Sequence, residues 1–149
     1  MKVLIAADHG GYELKEALED YLENKGIEVE DIGNHELDPD DDYPDFVFPL
    51  AQRISEKGGI GIVIGRSGNG EVIAANKVRG VKAALCTNVK HAKKAREDNH
   101  ANVLSLGADF VDNDTAKEIA DVFINTEFSK EDRHVRRVAK ITSYESSGA

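Results

Sequence analysis

At residues 60–71 the chain reads Ile60-Gly61-Ile62-Val63-Ile64-Gly65-Arg66-Ser67-Gly68-Asn69-Gly70-Glu71. The apolar run at 60–64 predicts a buried strand, and the glycine-rich turn after it predicts a sharp connection into a helix at 72–78. A turn of this kind points several backbone N–H groups at one spot, which suits a bound anion or a developing oxyanion. The stretch therefore predicts a central strand with a candidate site at its end.

Glu71, at the start of the predicted helix, has two interpretations. A carboxylate beside N–H donors can move a proton on a carbon next to a carbonyl while the donors hold the resulting negative oxygen. Alternatively, the segment is only a tight strand-to-helix turn whose glutamate complements the helix dipole. The segment by itself leaves both interpretations open.

Outward from this stretch, short apolar runs alternate with amphipathic segments. Strands are predicted at 2–7, 27–32, 60–64, 82–86 and 102–106. Helices are predicted at 12–24, 46–56, 72–78, 89–98, 115–124 and 130–144. Five strands separated by helices are typical of an α/β doubly wound parallel sheet, here with an extra C-terminal helix. The segment 27–32 alternates apolar and charged residues, which predicts a strand at the edge of the sheet.

Ligands of such sheets bind beyond the carboxyl ends of the strands, where the strand order reverses. The turns at 8–11, 65–71 and 86–88 follow predicted strands and are expected at this edge. Asp98, Asn99 and His100 precede a predicted strand, so the same rule does not place them there.

Composition limits the possible classes of protein. The 149 residues, 40% of them hydrophobic, predict a single domain over 1–149 with one ordinary core. The net charge of -9 argues against a nucleic-acid partner. Cys86 is the single cysteine, which excludes an internal disulfide and any metal site built from cysteines, and we expect it in the core. No apolar run approaches the length of a membrane span and no leader pattern follows Met1, so a cytoplasmic location without membrane attachment is expected.

Two further clusters carry polar chemistry. Asp8-His9-Gly10-Gly11 follows the first predicted strand, where Asp8 is either a site carboxylate or the N-cap of the next helix. Arg133-His134-Val135-Arg136-Arg137 lies on the terminal helix, with Arg133 and Arg137 on one face. The two guanidinium groups suit a phosphate dianion, but they are equally compatible with a solvated basic stripe.

Together these blocks resemble the ribose-5-phosphate isomerase B and galactose-6-phosphate isomerase family. The resemblance rests on Asp8-His9-Gly10-Gly11-Tyr12-Glu13-Leu14-Lys15, Asp42-Tyr43-Pro44, Ser67-Gly68-Asn69-Gly70-Glu71, Ile73-Ala74-Ala75-Asn76-Lys77 and Arg133-His134 to Arg137. Several blocks in matching order are far more specific than one glycine motif. The resemblance implies a Rossmann-like five-stranded parallel sheet and homodimers with sites completed across the interface. It also implies interconversion of aldose and ketose phosphates without a metal or organic cofactor.

The resemblance also implies roles for the residues around Glu71. One branch of the family has a cysteine base at the position of Gly65, whereas this chain resembles the branch with a glutamate base. Glu71 would take the proton from C2 of the opened aldose and return it to C1 through a cis-enediolate. Ser67 and the N–H groups of Gly68, Asn69 and Gly70 would hold the enediolate oxygen.

Further roles follow from the same resemblance. Asp8 matches an acid for ring opening and hydroxyl proton transfer, and His9 matches a contact to the substrate and its phosphate. Arg133 and Arg137 match phosphate ligands that reach the site of the neighbouring subunit. Asn99 and His134 complete the expected substrate-binding set.

The chain departs from the family pattern at two positions. Asp98-Asn99 stands where the family has His-Asn for ring opening. Three explanations of this change stay open: Asp98 opens the ring with a raised pKa, His100 replaces the histidine, or the substrate is acyclic and needs no opening. Asp109 stands where many members have an arginine for the phosphate. Arg66, in place of a glycine, is hypothesised to supply the missing positive charge.

The expected function is interconversion of ribose 5-phosphate and ribulose 5-phosphate in the pentose phosphate pathway. Two alternatives stay open: an isomerase for a tetrose or hexose phosphate, and a non-catalytic sugar-phosphate-binding relative. A homodimer is expected, and its further pairing into a tetramer is left open.

Overall fold

The structure, a computed structural model, describes residues 2–148. The strands are β1 (Lys2–Ala7), β2 (Glu28–Gly33), β3 (Ile60–Gly65), β4 (Ala83–Leu85) and β5 (Val103–Gly107). The helices are α1 (Tyr12–Asn24), α2 (Pro44–Lys57), α3 (Asn69–Ala75), α4 (Val89–Asn99), α5 (Asn113–Asn125) and α6 (Asp132–Ser146). Among the described residues, no helix combines the length and the apolar character that crossing a membrane requires.

The five strands form one parallel sheet in the order β2-β1-β3-β5-β4. The predicted doubly wound fold and its C-terminal helix are therefore confirmed. β3 and β5 lie in the middle of the sheet, and every residue of both is buried. β2 lies at one edge and is only partly buried, as its alternating sequence predicts.

Helices cover both faces of the sheet. The apolar sides of α1, α4 and α5 meet one face, and those of α2 and α3 meet the other. Successive residues of β3 contribute to opposite faces, since Ile62 and Ile64 belong to the first cluster and Val63 to the second. Cys86 is buried in the first cluster, as expected, and this burial raises the pKa of its thiol to about 11.

Most elements differ from the sequence-based bounds by one to three residues at an end, and three of these differences have a clear local reason. α3 begins at Asn69, three positions earlier than predicted, because Gly68 turns the chain with a left-handed φ of 81°. α6 begins at Asp132 because Lys130 has a φ of 59°, which is incompatible with a right-handed helix. β4 is shorter than predicted because only Ala83–Leu85 pair with β5.

The strand order reverses between β1 and β3, whose neighbours lead to opposite edges of the sheet. The turn after β1 and the loop after β3 therefore leave the sheet side by side at its carboxyl edge. This topology brings Asp8 and Glu71 to the same place, although 63 positions separate them in the sequence.

Candidate active site

Glu71 lies in the first turn of α3, and its side chain packs against the end of β3. The residue is only 4% exposed. Gly65, the last residue of β3, makes this position possible: a Cβ atom added to Gly65 would lie 2.1 Å from Oε2 of Glu71 and 2.4 Å from Oε1. The carboxylate thus fills the space that a side chain at residue 65 would need.

Burial governs the protonation of this carboxylate. Removal from water raises the pKa of Glu71, its own backbone N–H acts in the opposite direction, and the negative charge of Asp8 raises the pKa further. A carboxyl group with a raised pKa suits proton transfer to and from carbon better than an ordinary surface glutamate does.

The loop before α3 is held firmly against β4 and β5. A Cβ atom on Gly68 would lie 2.7 Å from Cδ1 of Leu85 and 3.0 Å from the carbonyl carbon of Leu106, so the position needs glycine for space as well as for its φ. The Ser105 hydroxyl donates a buried hydrogen bond of 2.8 Å to the carbonyl oxygen of Gly68. These contacts fix the direction of the backbone beside Glu71.

The expected N–H donors of the loop are not equivalent. The Asn69 N–H donates to Oγ of Ser67 at 3.2 Å, so it holds the hydroxyl in place. Within residues 2–148, no acceptor pairs with the N–H groups of Gly68 and Gly70. The N–H groups of Gly68 and Gly70, together with the Ser67 hydroxyl, are therefore available as donors to an oxyanion.

Asp8 and His9 follow β1 beside this loop. Asp8 is buried, and its Oδ1 accepts a hydrogen bond of 2.9 Å from the Gly10 N–H. His9 is half-buried, and both its backbone N–H (3.0 Å) and its ring Nδ1 (2.7 Å) bond to Oδ1 of Asp41. The hydrogen bond to Asp41 raises the pKa of His9. Asp8 thus stabilises its own turn beside the Glu71 loop and does not cap α1, whose N-cap is Gly11.

Arg66 and Asp109 approach each other at the mouth of the site. Nη1 of Arg66 lies 3.9 Å from Oδ1 of Asp109, and both side chains are exposed. The Arg66 side chain crosses Gly10, where an added Cβ atom would lie 2.4 Å from Cγ of Arg66. A cleft of about 590 Å³ adjoins this pair and His9, but Glu71 is not among its lining residues. Asp109, one of the two departures from the family pattern, and Arg66, the hypothesised replacement for the missing charge, thus lie together at this cleft.

Sequence reasoning missed two residues of this region. Asp41 lies in an aspartate-rich run whose sequence predicts only a loop. Its contact with His9 is what distinguishes it from its neighbours. Tyr43 belongs to the Asp42-Tyr43-Pro44 block, but only the folded chain places it over the loop. A Cβ atom on Gly70 would lie 2.6 Å from the Tyr43 hydroxyl oxygen. Neither contact has a local sequence signal.

One cluster near the site has the composition of a cation site. Ligand atoms of Asp8, His9 and Asp41 lie within 4.8 Å of one another. Hydrogen bonds from His9 already occupy one oxygen of Asp41, and Asn34 donates to the other at 3.2 Å. The arrangement is therefore accounted for by an internal hydrogen-bond network.

The second half of the expected site lies elsewhere in the subunit. α4 returns from β4 to the start of β5, so Asp98 and Asn99 at its end lie at the amino edge of the sheet. Glu71 lies at the opposite edge, separated by the five residues of β5, or about 16 Å. The structure does not bring these two groups together within one chain.

α6 adds the basic residues to this amino edge. Nε2 of His134 lies 3.4 Å from Oδ1 of Asp98 and 3.7 Å from Oε2 of Glu131. His134 is buried, whereas Arg133 and Arg137 are exposed on α6. Arg133 also pairs with Glu131 at 3.0 Å. Asp98, Asn99, Arg133, His134 and Arg137 are called the amino-edge group below.

His100, the other residue that could open the ring, packs against Phe128 in this arrangement. Its ring stacks on Phe128 with 4.6 Å between the ring centres. Burial lowers the pKa of His100, and the charges of Lys82, Arg96 and Lys130 lower it further. These contacts favour a neutral, structural imidazole.

Comparison with known proteins shows the family of this chain. Residues 3–141 match the family described as Ribose/Galactose Isomerase. The chain is 44% identical to ribose-5-phosphate isomerase B of Mycobacterium tuberculosis over 146 residues, which cover 97% of this chain and 90% of the relative.

Two solved structures are similar over nearly the whole chain. The ribose-5-phosphate isomerase B of Clostridium thermocellum has a TM-score of 0.95 and 43% identity and covers 100% of both chains. The enzyme of the same name from Mycoplasma genitalium, with bound ribulose-5-phosphate, has a TM-score of 0.94 and 40% identity and covers 97% of this chain and 96% of its own. By its sequence and its fold, the chain belongs to the ribose/galactose isomerase family.

Proposed function

We propose that the protein interconverts ribose 5-phosphate and ribulose 5-phosphate through a cis-enediolate, with Glu71 as the base. The observation that carries this proposal is a buried carboxylate with a raised pKa, packed at the end of β3 beside the N–H groups of Gly68 and Gly70. The identity of 40 to 44% with proteins named ribose-5-phosphate isomerase B supports the substrate.

Membership of the glutamate branch is part of the proposal. The carboxylate oxygens of Glu71 occupy the space beside Gly65 where a cysteine side chain would begin. A base at residue 65 and the observed position of Glu71 therefore exclude each other. Cys86 offers no replacement base, since it is buried and its pKa is raised to about 11.

In the proposed reaction Glu71 acts twice, first as a base at C2 and then as an acid at C1. Glu71 removes the proton from C2 of the open aldose, and the electron pair moves into the C1–C2 bond as the C1 carbonyl oxygen becomes negative. The Ser67 hydroxyl and the N–H groups of Gly68 and Gly70 stabilise this oxygen. Asp8 moves the hydroxyl proton between O2 and O1, and Glu71 then returns its proton to C1.

Replacement of Glu71 by glutamine tests the base. We expect Glu71→Gln to lose about 10²- to 10⁴-fold in kcat, because the amide cannot accept the carbon-bound proton. In D₂O, the wild-type protein should wash deuterium into C1 or C2 of the sugar phosphate, and the variant should largely fail to do so, as followed by proton NMR.

The matched control is Glu28→Gln, which removes the same charge at the exposed start of β2 and should leave the exchange unchanged. Exchange in Glu71→Gln at the wild-type rate would exclude Glu71 as the base. A wild-type protein that binds the sugar phosphate but exchanges no deuterium would instead be the non-catalytic relative.

We further propose that each site is shared between two subunits of a homodimer. Glu71 and the amino-edge group lie at opposite edges of the sheet in one chain, so the arginines can reach a phosphate beside Glu71 only from a neighbour. α6 also exposes the apolar side chains of Val135, Ile141 and Tyr144, which a second copy would cover. A cytoplasmic location, by contrast, stays a prediction.

Mixing two inactive variants tests the shared site. Glu71→Gln and Arg137→Ala should each be nearly inactive alone, whereas mixed dimers formed by co-expression contain one site with both changes and one with neither. We therefore expect activity to return in the mixture, measured as turnover per protein.

Asp8→Asn is the control partner for this experiment, because Asp8 and Glu71 lie at the same edge. Mixed dimers of Asp8→Asn and Glu71→Gln carry one change in each site and should stay inactive. If the Glu71→Gln and Arg137→Ala mixture were as inactive as its components, the site would not be shared.

Asp98 is proposed to open the sugar ring together with His134. Nε2 of His134 lies 3.4 Å from Oδ1 of Asp98, a distance at which the two groups form an ion pair when His134 is protonated. The pair gives a proton to the ring oxygen as the C1–O4 bond breaks, and it recovers the proton of the O1 hydroxyl as the C1 carbonyl forms. The stacking of His100 on Phe128 favours Asp98 over His100 for this step.

A substrate that cannot close a ring tests this role. A four-carbon aldose 4-phosphate cannot form a five-membered ring, because its O4 carries the phosphate. We expect Asp98→Asn to lose about 10²-fold on ribose 5-phosphate but to change by less than about threefold on the four-carbon substrate.

Equal losses on both substrates would contradict a ring-opening role for Asp98. The same assay of the wild-type protein, extended to six-carbon phosphates, decides between the pentose and the alternative sugars. A kcat/KM that is highest for a tetrose or hexose phosphate would favour the alternative.

A further inference from the structure

The contact between His9 and Asp41 joins two segments that lie 32 positions apart. Oδ1 of Asp41 receives the His9 backbone N–H at 3.0 Å and the ring Nδ1 at 2.7 Å. The other oxygen, Oδ2, receives the Asn34 amide at 3.2 Å. The carboxylate is nearly enclosed, with 5% of its side chain exposed. Asp41 is therefore held on both sides and holds His9 at two points.

We propose that Asp41 is a positioning residue that keeps His9 as an oriented imidazolium for the phosphate of the substrate. This inference rests on the proposed sugar-phosphate function and assigns to it a residue of the loop between β2 and α2.

Hydrogen-bond geometry supports the orientation. A carboxylate accepts but does not donate, so Nδ1 of His9 must carry the proton of the 2.7 Å bond. Nε2 is then available to donate to a ligand when the ring is charged. The second bond, from the His9 backbone N–H, fixes the residue as well as its ring.

The charged groups around His9 favour its protonated, positively charged form. The groups that face His9 are Asp8, Asp41 and Arg66. The hydrogen bond to Asp41 raises the pKa of His9, burial opposes it, both carboxylates raise it further, and Arg66 lowers it. Burial alone would raise the pKa of Asp41, but the bonds from His9 and Asn34 outweigh burial and lower it. Each partner thus stabilises the charged form of the other.

The site carries an excess of negative charge, which a positive charge on His9 offsets. Asp8, Glu71 and Asp109 put negative charge around the carboxyl edge, and Arg66 is partly neutralised by Asp109 at 3.9 Å. A phosphate dianion near the cleft beside His9 therefore needs His9 in its charged form.

Asp41→Asn tests the proposal, because asparagine keeps an acceptor but removes the charge. His9 should titrate at lower pH in this variant than in the wild type, as measured by ¹H–¹⁵N NMR of the imidazole. KM for ribose 5-phosphate should rise about tenfold at the alkaline end of the working range, the effect of one charge-assisted hydrogen bond, with kcat changed by less than about twofold.

The pH dependence of KM distinguishes a positioning role of Asp41 from a purely structural one. At low pH both proteins carry protonated His9, so their KM values should converge. As the pH rises, the variant loses the imidazolium first and its KM should rise first. Asp40→Asn, which removes an exposed charge from the same loop, should follow the wild type throughout.

The same substitution in a His9→Gln background tests whether Asp41 acts through His9. In His9→Gln, the further change Asp41→Asn should alter KM by less than about twofold, because the ring on which Asp41 acts is gone. Parallel KM curves for Asp41→Asn and the wild type, or an unchanged His9 titration, would overturn the proposal. Binding of inorganic phosphate, followed through the His9 signals, tests the inference even if the protein does not isomerise ribose 5-phosphate.

Discussion

The contact between the Glu71 carboxylate and the bare Cα of Gly65 is the constraint on which the site depends. It joins the last residue of the central strand to the first turn of α3 and leaves no room for a side chain at residue 65. The same packing removes the carboxylate from water and raises its pKa. A single geometric fact therefore supports both the choice of Glu71 as the proposed base and the raised pKa that proton transfer would use.

The order of the strands determines what else reaches this carboxylate. Because the chain reverses direction across the sheet between β1 and β3, Asp8 and His9 lie beside Glu71 at the carboxyl edge. The amino-edge group lies at the other end of β5 for an equally simple reason: a helix that follows a parallel strand must return to the start of the next one. The proposed shared site in a dimer would bring these two halves together.

Much of the fold could be predicted from the sequence, because burial periodicity is local. The apolar runs located the central strands, and the alternation at 27–32 placed β2 at an edge. Helix starts were less predictable where one residue with an unusual φ decides them, as at Gly68 and Lys130. The residues of the Glu71 loop were found because glycine spacing is itself a local signal.

The remaining parts of the site depend on tertiary contacts that have no such signal. Nothing in the aspartate-rich run distinguishes Asp41 from its neighbours until His9 lies against it. The pairing of Asp98 with His134 joins two helices that only packing brings together. Arg66 and Asp109 were linked by a hypothesis about charge, and their 3.9 Å separation shows that they are neighbours.

A double-mutant cycle in the free energy of unfolding tests whether the Glu71 carboxylate fills the space beside Gly65. Gly65→Ala should cost about 1–3 kcal/mol when Glu71 is present, because the added methyl group overpacks the site. In the Glu71→Ala background the same change should cost clearly less, since the space is then empty. An equal cost in both backgrounds, measured by chemical denaturation, would show that the carboxylate lies elsewhere and would remove the basis for Glu71 as the base.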